Sequence, residues 1–448
     1  MSAGVAMGER LEAARRGWCP GALRPMASGD GLIVRVRVIG GALRPRAARA
    51  IASAASCFGN GHIDLTSRAN LQMRGVSERS LPALQAALDG LGLFDADADA
   101  EAVRNIVASP LAGLDPAALL DIRPCVAALD QRLRRDRALW RLPGKFGFAI
   151  DDGGRFSVAD ESADIGFVAV RRAGAVVFAV RLAGRSAGFC AVDDLADQAA
   201  ALAAAFLALR GSGGAAARRM AALLARIGVA PIVRAAGLDQ DQDGDADRGA
   251  SAPKPGLLGP HDLGPLRALG AGAAFGRLKA AQLTALAEAA EWAQGELRLT
   301  PWRAVLIIGP AIDATVASRL RQAGLLLEDN HSIRAVAACP GAPACVNGST
   351  ATQNDAERLA PLARRLGPRG VALHVSGCAK GCAHAAAAPV TLVGRSGRYD
   401  LVLDGRADEE PALRGLAPEA LGALFEALAG APPAGRAAAL NALARTKT

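Results

Sequence analysis

Gly61-His62-Ile63-Asp64-Leu65-Thr66 and Gly295-Glu296-Leu297-Arg298-Leu299-Thr300 carry one pattern, Gly-x-Ile/Leu-x-Leu-Thr, 234 residues apart. Each follows an alanine-rich stretch of helical periodicity, and each leads through a strand-like run, to Gly75 or Gly309, into a further helical pattern. Alternating apolar and polar residues put every second side chain on one face, as a half-buried strand requires. Downstream, Arg104 precedes Ser109-Pro110 by the spacing at which Arg334 precedes Cys339-Pro340, and this offset of 230 residues agrees with the first within a short indel. A diverged internal repeat is expected, and with it an α+β, pseudo-twofold fold whose halves leave a natural cleft between them.

Strands are read at Leu32 to Val38, Phe167 to Val170, Ala175 to Val180 and Val371 to Val375, and helices at Ala47 to Cys57 and Lys279 to Gln294. The halves part at residues 239–256, where Asp, Gln, Gly, Ser and Pro replace the apolar pattern, as in a solvated linker. Asp239, Asp241, Asp243 and Gly244 there imitate the start of a calcium loop, but the twelfth position is Ala250 rather than glutamate, which favours a plain linker. The longest apolar run, Ala199 to Leu209, has 11 residues and reads as a buried helix, far short of the roughly 20 needed to span a bilayer. Acidic Glu9 and Glu12 do not fit a secretory leader, so a cytoplasmic protein with no membrane partner is expected. Lysine plus arginine exceed aspartate plus glutamate by 52 to 43, mostly through arginine, whose forked guanidinium suits a polyanionic ligand. With one tyrosine and no basic run interleaved with aromatics, nucleic acid is not the expected partner.

Four of the eight cysteines form two local pairs, Cys339-x5-Cys345 and Cys378-x3-Cys382. In a cytoplasmic chain, paired cysteines point to metal or redox chemistry, and four thiolates satisfy a [4Fe–4S] cube. Zinc sites favour gaps of about two to four residues in both pairs, so the x5 gap fits zinc poorly. Pro340, Gly341, Ala342, Pro343 and Ala344 in one loop, and Gly377, Ala379 and Gly381 in the other, let backbone N–H groups approach cluster sulfurs. Cys57, Cys125 and Cys190 sit in apolar settings and are expected in the core; for Cys19, in Cys19-Pro20-Gly21, a buried small residue is preferred to a reactive thiol.

Two cysteine pairs of this spacing resemble the cluster signature of the nitrite and sulfite reductase superfamily, in which the last cysteine also bridges to sirohaem iron; by similarity that is Cys382. Leu65-Thr66-Ser67-Arg68-Ala69-Asn70-Leu71-Gln72 resembles the superfamily's half-domain motif, with Arg68 in the anion-contacting position. Arg104-Asn105 and Lys145-Phe146 resemble two further motifs of its active-site face. The resemblance implies a ferredoxin-like half-domain at 1–80, an α+β domain at 81–238, the linker 239–256, a second half-domain at 257–310 and a cluster-bearing domain at 311–448.

Three departures narrow the resemblance. Only Lys145 remains of the basic residues around Gly144-Lys145-Phe146-Gly147; Pro389 replaces an acidic residue after Cys382; and Cys19-Pro20-Gly21, Pro25-Met26 and Gly29-Asp30-Gly31-Leu32 are features of a precorrin-oxidising branch. That branch implies precorrin-3A and dioxygen as substrates, hydroxylation at C20 with lactone closure, and NADH or a reduced carrier protein as electron source. It implies a [4Fe–4S] cluster and a mononuclear non-haem iron in place of sirohaem. Thr66, Arg68, Gln72, Arg104 and Lys145 become the expected carboxylate clamps, and His62 and His384 the preferred iron neighbours among His62, His261, His331, His374 and His384. The alternatives are a sirohaem-dependent nitrite or sulfite reductase and a non-catalytic iron–sulfur electron carrier.

Overall fold

The computed structural model describes residues 19–238, 256–367, 370–438 and 440. Apart from Gly256, the linker at 239–256 lies outside the described residues, as do Glu9 and Glu12. The first half supplies β1 (Met26–Ser28), β2 (Gly31–Val36), β3 (Ala42–Leu43), β4 (His62–Leu65), β5 (Leu71–Val76), β6 (Ile106–Ala108), β7 (Phe148–Asp151), β8 (Ile165–Arg172), β9 (Ala175–Leu182) and β10 (Arg185–Cys190). The second half supplies β11 (Gly259–Asp262), β12 (Arg267–Gly272), β13 (Arg277–Lys279), β14 (Glu296–Leu299), β15 (Ala304–Gly309), β16 (Val336–Ala338), β17 (Leu373–Ser376), β18 (Ala388–Arg395), β19 (Arg398–Gly405) and β20 (Leu413–Leu416).

These strands form four five-stranded sheets in two matched kinds. The half-domain sheets run β1-β2-β5-β4-β13 and β11-β12-β15-β14-β3, so each half lends the other an edge strand. Leu278 of β13 pairs with Ile63, and Leu43 of β3 pairs with Leu297. This reciprocal exchange joins both half-domains into one core, which contains Val34, Ile51, Ile63 and Met73 beside Leu278, Leu286, Leu297 and Ile307. Burying a leucine or isoleucine there contributes about 1.5–3 kcal/mol.

The expected helices are Pro45–Phe58 and Ala280–Trp292, packed against each other. Their contact faces are small: Ala48, Ala52 and Ala55 on one, Ala287 and Ala290 on the other, all buried. Small side chains at these positions let the two helices approach closely over the paired sheets. The apolar run at 199–209 lies in the helix Leu195–Leu209, and no helix among the described residues is long and apolar enough to cross a membrane.

The remaining two sheets, β10-β9-β8-β7-β6 and β16-β17-β18-β19-β20, share one topology. In each, the first three strands in sequence run parallel, the fourth returns antiparallel to the third, and the fifth pairs antiparallel to the fourth. The C-terminal ends of neighbouring parallel strands are where α/β sheets place ligands. Cys339 directly follows β16, and Cys378 stands two residues past β17.

Candidate functional site

Adjacent parallel strands bring the two cysteine loops together. Cys339 N–H donates to the Val375 carbonyl (3.3 Å), and the Gly377 N–H points at Cys339 Sγ (3.1 Å). Thr352 Oγ1 lies 3.9 Å from the same sulfur while donating to the Cys339 carbonyl at 2.6 Å. Gly341 has φ +63°, and a Cβ there would stand 2.4 Å from Thr352 Oγ1, so this turn requires glycine. Burial raises the Cys378 and Cys382 thiols, and repulsion from Cys339 and Cys345 adds to it. A cationic iron core would relieve the Cys378 and Cys382 thiols, and the Gly377 N–H already points at the Cys339 sulfur, so the donor set fits an iron–sulfur cluster.

The sheet β1-β2-β5-β4-β13 turns its polar face toward these loops. Val34, Val36, Ile63, Leu65, Leu71, Met73 and Leu278 point into the core, which puts Arg35, Arg37, His62, Asp64, Gln72, Arg74 and Arg277 on the opposite side. Contacts fix what that face meets: Arg74 Nη2 donates to the Ala344 carbonyl (2.8 Å), and Arg277 Nη1 to Gln353 Oε1 (2.9 Å).

On that face Arg68 gathers a basic cluster. Its Nη2 donates to the Lys145 carbonyl (2.9 Å), and its Nη1 lies 3.5 Å from both Asn105 Oδ1 and Cys19 Sγ. Buried Asn105 donates through Nδ2 to the Ala102 and Phe146 carbonyls (2.9 and 3.0 Å), holding the loop that presents the exposed Lys145. Gln72 Oε1 accepts from Arg35 Nε and Nη2 (3.1 and 2.6 Å). Thr66 Oγ1 accepts the Asn70 N–H (3.1 Å) and shapes the Arg68 turn.

Arg35 and Arg37 are 9% and 5% exposed, yet Arg35 Nη1 and Arg37 Nε and Nη2 have no hydrogen-bond partner. Buried guanidinium donors left unmet can receive an anion; Arg37 has only Nε and Nη2 for one, because its Nη1 meets Glu101 at 3.5 Å. Sequence reading missed both arginines; the signal was two charges alternating with Val34, Val36 and Val38, along β2 and just past its end. Burial presses Arg37 down to about 10 against the pull of Glu101.

Three expectations change. Arg104 is 3% exposed and bonded to Asp95 and to Asp130 (2.6 Å), so its charge is neutralised inside the first half rather than offered to a ligand. Cys19 is not an inert core residue: burial would raise its thiol, but Arg35 and Arg68 outweigh it and the net shift is downward. Cys57 is exposed, near the end of its helix, whereas Cys125 is buried and burial pushes half-buried Cys190 up to about 12.

His62 sits on β4 with Nδ1 buried and unpartnered, its pKa lowered by burial and then by Arg277. His384 lies edge-on to His374, 5.8 Å between centroids, and burial drives His374 down to about 4. Among the described residues no three His, Cys, Asp or Glu side chains, the paired cysteines included, converge to hold a single metal ion, and no ligand set for a mononuclear iron is seen around His62 or His384. A hollow of about 500 Å³ lies along β8, away from both loops. Its Asp164 already accepts from Gly147 N, Arg219 Nε and Met220 N, so it has little left to offer a ligand.

Residues 24–91 and 263–317 match the family described as nitrite/sulfite reductase ferredoxin-like half domain, and residues 99–242 that described as nitrite and sulphite reductase 4Fe-4S domain. The chain belongs to the nitrite and sulfite reductase superfamily. Within it, the chain is 33% identical over 408 residues to a precorrin-3B synthase of Sinorhizobium sp, covering 89% of this chain and 84% of that protein. It is 29% identical over 405 residues to a ferredoxin–nitrite reductase of Synechococcus elongatus, covering 84% and 78%. The structure of the Mycobacterium tuberculosis NirA protein shares the fold, with TM-score 0.70 at 23% identity over 88% of this chain and 80% of that one. The 4Fe-4S match falls on the first α/β domain, while the paired cysteines stand in its twin.

Proposed function

We propose that this chain is an oxygen-dependent oxidoreductase of precorrin-3B synthase type, which hydroxylates precorrin-3A at C20 while a ring A acetate closes as a lactone. Cys339, Cys345, Cys378 and Cys382 would hold a [4Fe–4S] cluster, which would supply single electrons received from a reduced carrier protein, with NADH as the more distant two-electron source. The observation that carries the reading is the pair of buried arginines with unmet donors, Arg35 and Arg37, beside Arg68, on the sheet face that meets the cluster loops. A tetrapyrrole fringed with acetates and propionates offers carboxylates to such donors. Likeness to a precorrin-3B synthase supports a tetrapyrrole that is substrate rather than resident cofactor.

In this reading Arg35, Arg37 and Arg68 bind and orient the substrate's carboxylates, Lys145 neutralises another at the rim, and Gln72 holds Arg35 in place. Thr66 and Asn105 act by positioning Arg68 and the Lys145 loop. A mononuclear iron does not find its ligands among the described residues, so no step is assigned to one.

The test is the visible spectrum of anaerobically purified protein, followed by turnover of precorrin-3A with and without dioxygen. Broad cluster absorption and dioxygen-dependent hydroxylation are expected. An intense Soret band from bound sirohaem, with nitrite or sulfite reduction, would defeat the proposal.

A further inference from the structure

The turn Ser28-Gly29-Asp30-Gly31 presses on the loop that carries Cys345. A Cβ at Gly29 would lie 2.1 Å from the Pro343 carbonyl oxygen and 3.1 Å from Cys345 N. Ser28 Oγ donates to the Ala344 carbonyl at 2.7 Å, and Arg74 Nη2 donates to the same oxygen at 2.8 Å, across 270 residues of chain. Arg74 is 3% exposed and lies between two carboxylates: Asp30 at 2.9 Å and Asp64 at 3.3 Å. Asp64 in turn holds Arg277 Nε at 2.6 Å, and Arg277 reaches Gln353, whose neighbour Thr352 donates to the Cys339 carbonyl.

We infer that the chain Asp30–Arg74–Asp64–Arg277 is a positioning device for the cluster, gripping the Cys345 loop at one end and the Cys339 loop at the other. The inference rests on the four-cysteine cluster proposed above and adds residues that the cysteine motif does not contain. Two acids and two bases make the network neutral, so its contribution separates into two parts. One is geometric: two donors on the Ala344 carbonyl hold Cys345 ready to ligate. The other is electrostatic, because removing Arg74 alone leaves an uncompensated negative charge beside the cluster and makes it harder to reduce. Groups that orient ligands in this way typically change metal affinity by about 10- to 100-fold when lost.

The experiment uses the full-length protein with its cluster reconstituted anaerobically, and measures cluster release to a chelator and midpoint potential by EPR-monitored titration. Arg74→Met is expected to lose the cluster at least ~10-fold faster and to shift the potential to more negative values. Arg74→Met with Asp30→Asn restores neutrality, so the potential should return toward the parent while release stays fast. Should either variant fail to fold, Ser28→Ala removes one donor without touching charge and should release the cluster faster at unchanged potential. Parent-like release in both Arg74→Met and Ser28→Ala would overturn the inference. A parent protein that takes up no four-iron cluster would instead overturn the reading beneath it.

Discussion

The two α/β domains share a frame and differ in what the frame holds. Cys339 N donates to the Val375 carbonyl as Ser109 N donates to that of Ile150, at 3.3 and 3.1 Å. Gly377 N points at Cys339 Sγ (3.1 Å) as Asp152 N points at Ser109 Oγ (3.0 Å). Cys345 N donates to Gly341, and Asp115 N donates to Leu111, at the equivalent turn. In the first domain Asp115 stands where Cys345 stands in the second, and its carboxylate accepts Ala117 N (3.0 Å) from its own loop and Arg155 N (2.6 Å) from the loop that follows β7. The difference extends to the half-domains. Ala69 and Arg303 share a left-handed backbone (φ 51° and 58°), which aligns Arg68 with Trp302. Arg68 borders unmet buried donors, whereas Trp302 donates to Glu161 (2.8 Å) and tilts against Phe156. Leu111, Phe156, Leu257, Leu306 and Ile308 close that side with an apolar cluster. The two sites share backbone geometry, and their side chains differ: one keeps buried donors without partners, while the other is filled by Trp302 and its apolar neighbours.

The hardest blow to this contrast is Cys378→Ser, which should abolish the cluster and activity together, as read by iron and acid-labile sulfide content and by loss of visible absorption. Asp115→Ala, at the counterpart of Cys345, should leave cluster content intact. A cluster lost equally in both would mean that the sealed domain takes part in binding. Next in size is Arg68→Ala, which should keep a parent-like cluster spectrum and weaken tetrapyrrole binding by about 10- to 100-fold, the range for a lost hydrogen bond to a charged group. Fluorescence or absorbance titration with the substrate checks it, and cluster loss in this variant would show that Arg68 serves the cluster instead.

The repeat was legible because a strand alternating with period two and closed by a Thr-Ser/Pro turn survives divergence, as Gly61–Thr66 and Gly295–Thr300 do. The cysteine loops were legible for a similar reason: ligand spacing is local. The exchange of β3 and β13 was not, because segments of two and three residues carry no periodicity of their own. Arg104 illustrates the other limit. Its motif marks it as a ligand contact, but Asp95 and Asp130, 9 and 26 residues away, reach it only once the helices Ala98–Val103 and Arg123–Arg135 have packed. Arg35 and Arg37 fail the opposite way. They look like ordinary strand charges until the core claims Val34 and Val36 and leaves their own face toward the cluster loops.

Smaller effects test the sealed site itself. Trp302→Ala should destabilise the fold by ~2–4 kcal/mol, through lost apolar burial and an orphaned Glu161, with no change in the cluster spectrum. Asp152→Asn should act in the other direction and depend on pH. Asp152 is 1% exposed, its Oδ2 has no partner, and burial raises its pKa from 3.8 to about 6, with Asp151 and Asp115 adding to the shift. Between those values the folded chain binds a proton that the unfolded chain has released. The stabilisation is therefore complete below about pH 4 and is lost as pH rises through about 6. Asparagine keeps the bond from Gly154 N (2.9 Å) and has no charge to bury, so the variant should gain on the parent as pH rises, by about 1–3 kcal/mol at neutrality. Urea unfolding at pH 4.5 and 7.5 measures the difference. An advantage equal at both pH values would show that Asp152 does not titrate in this window.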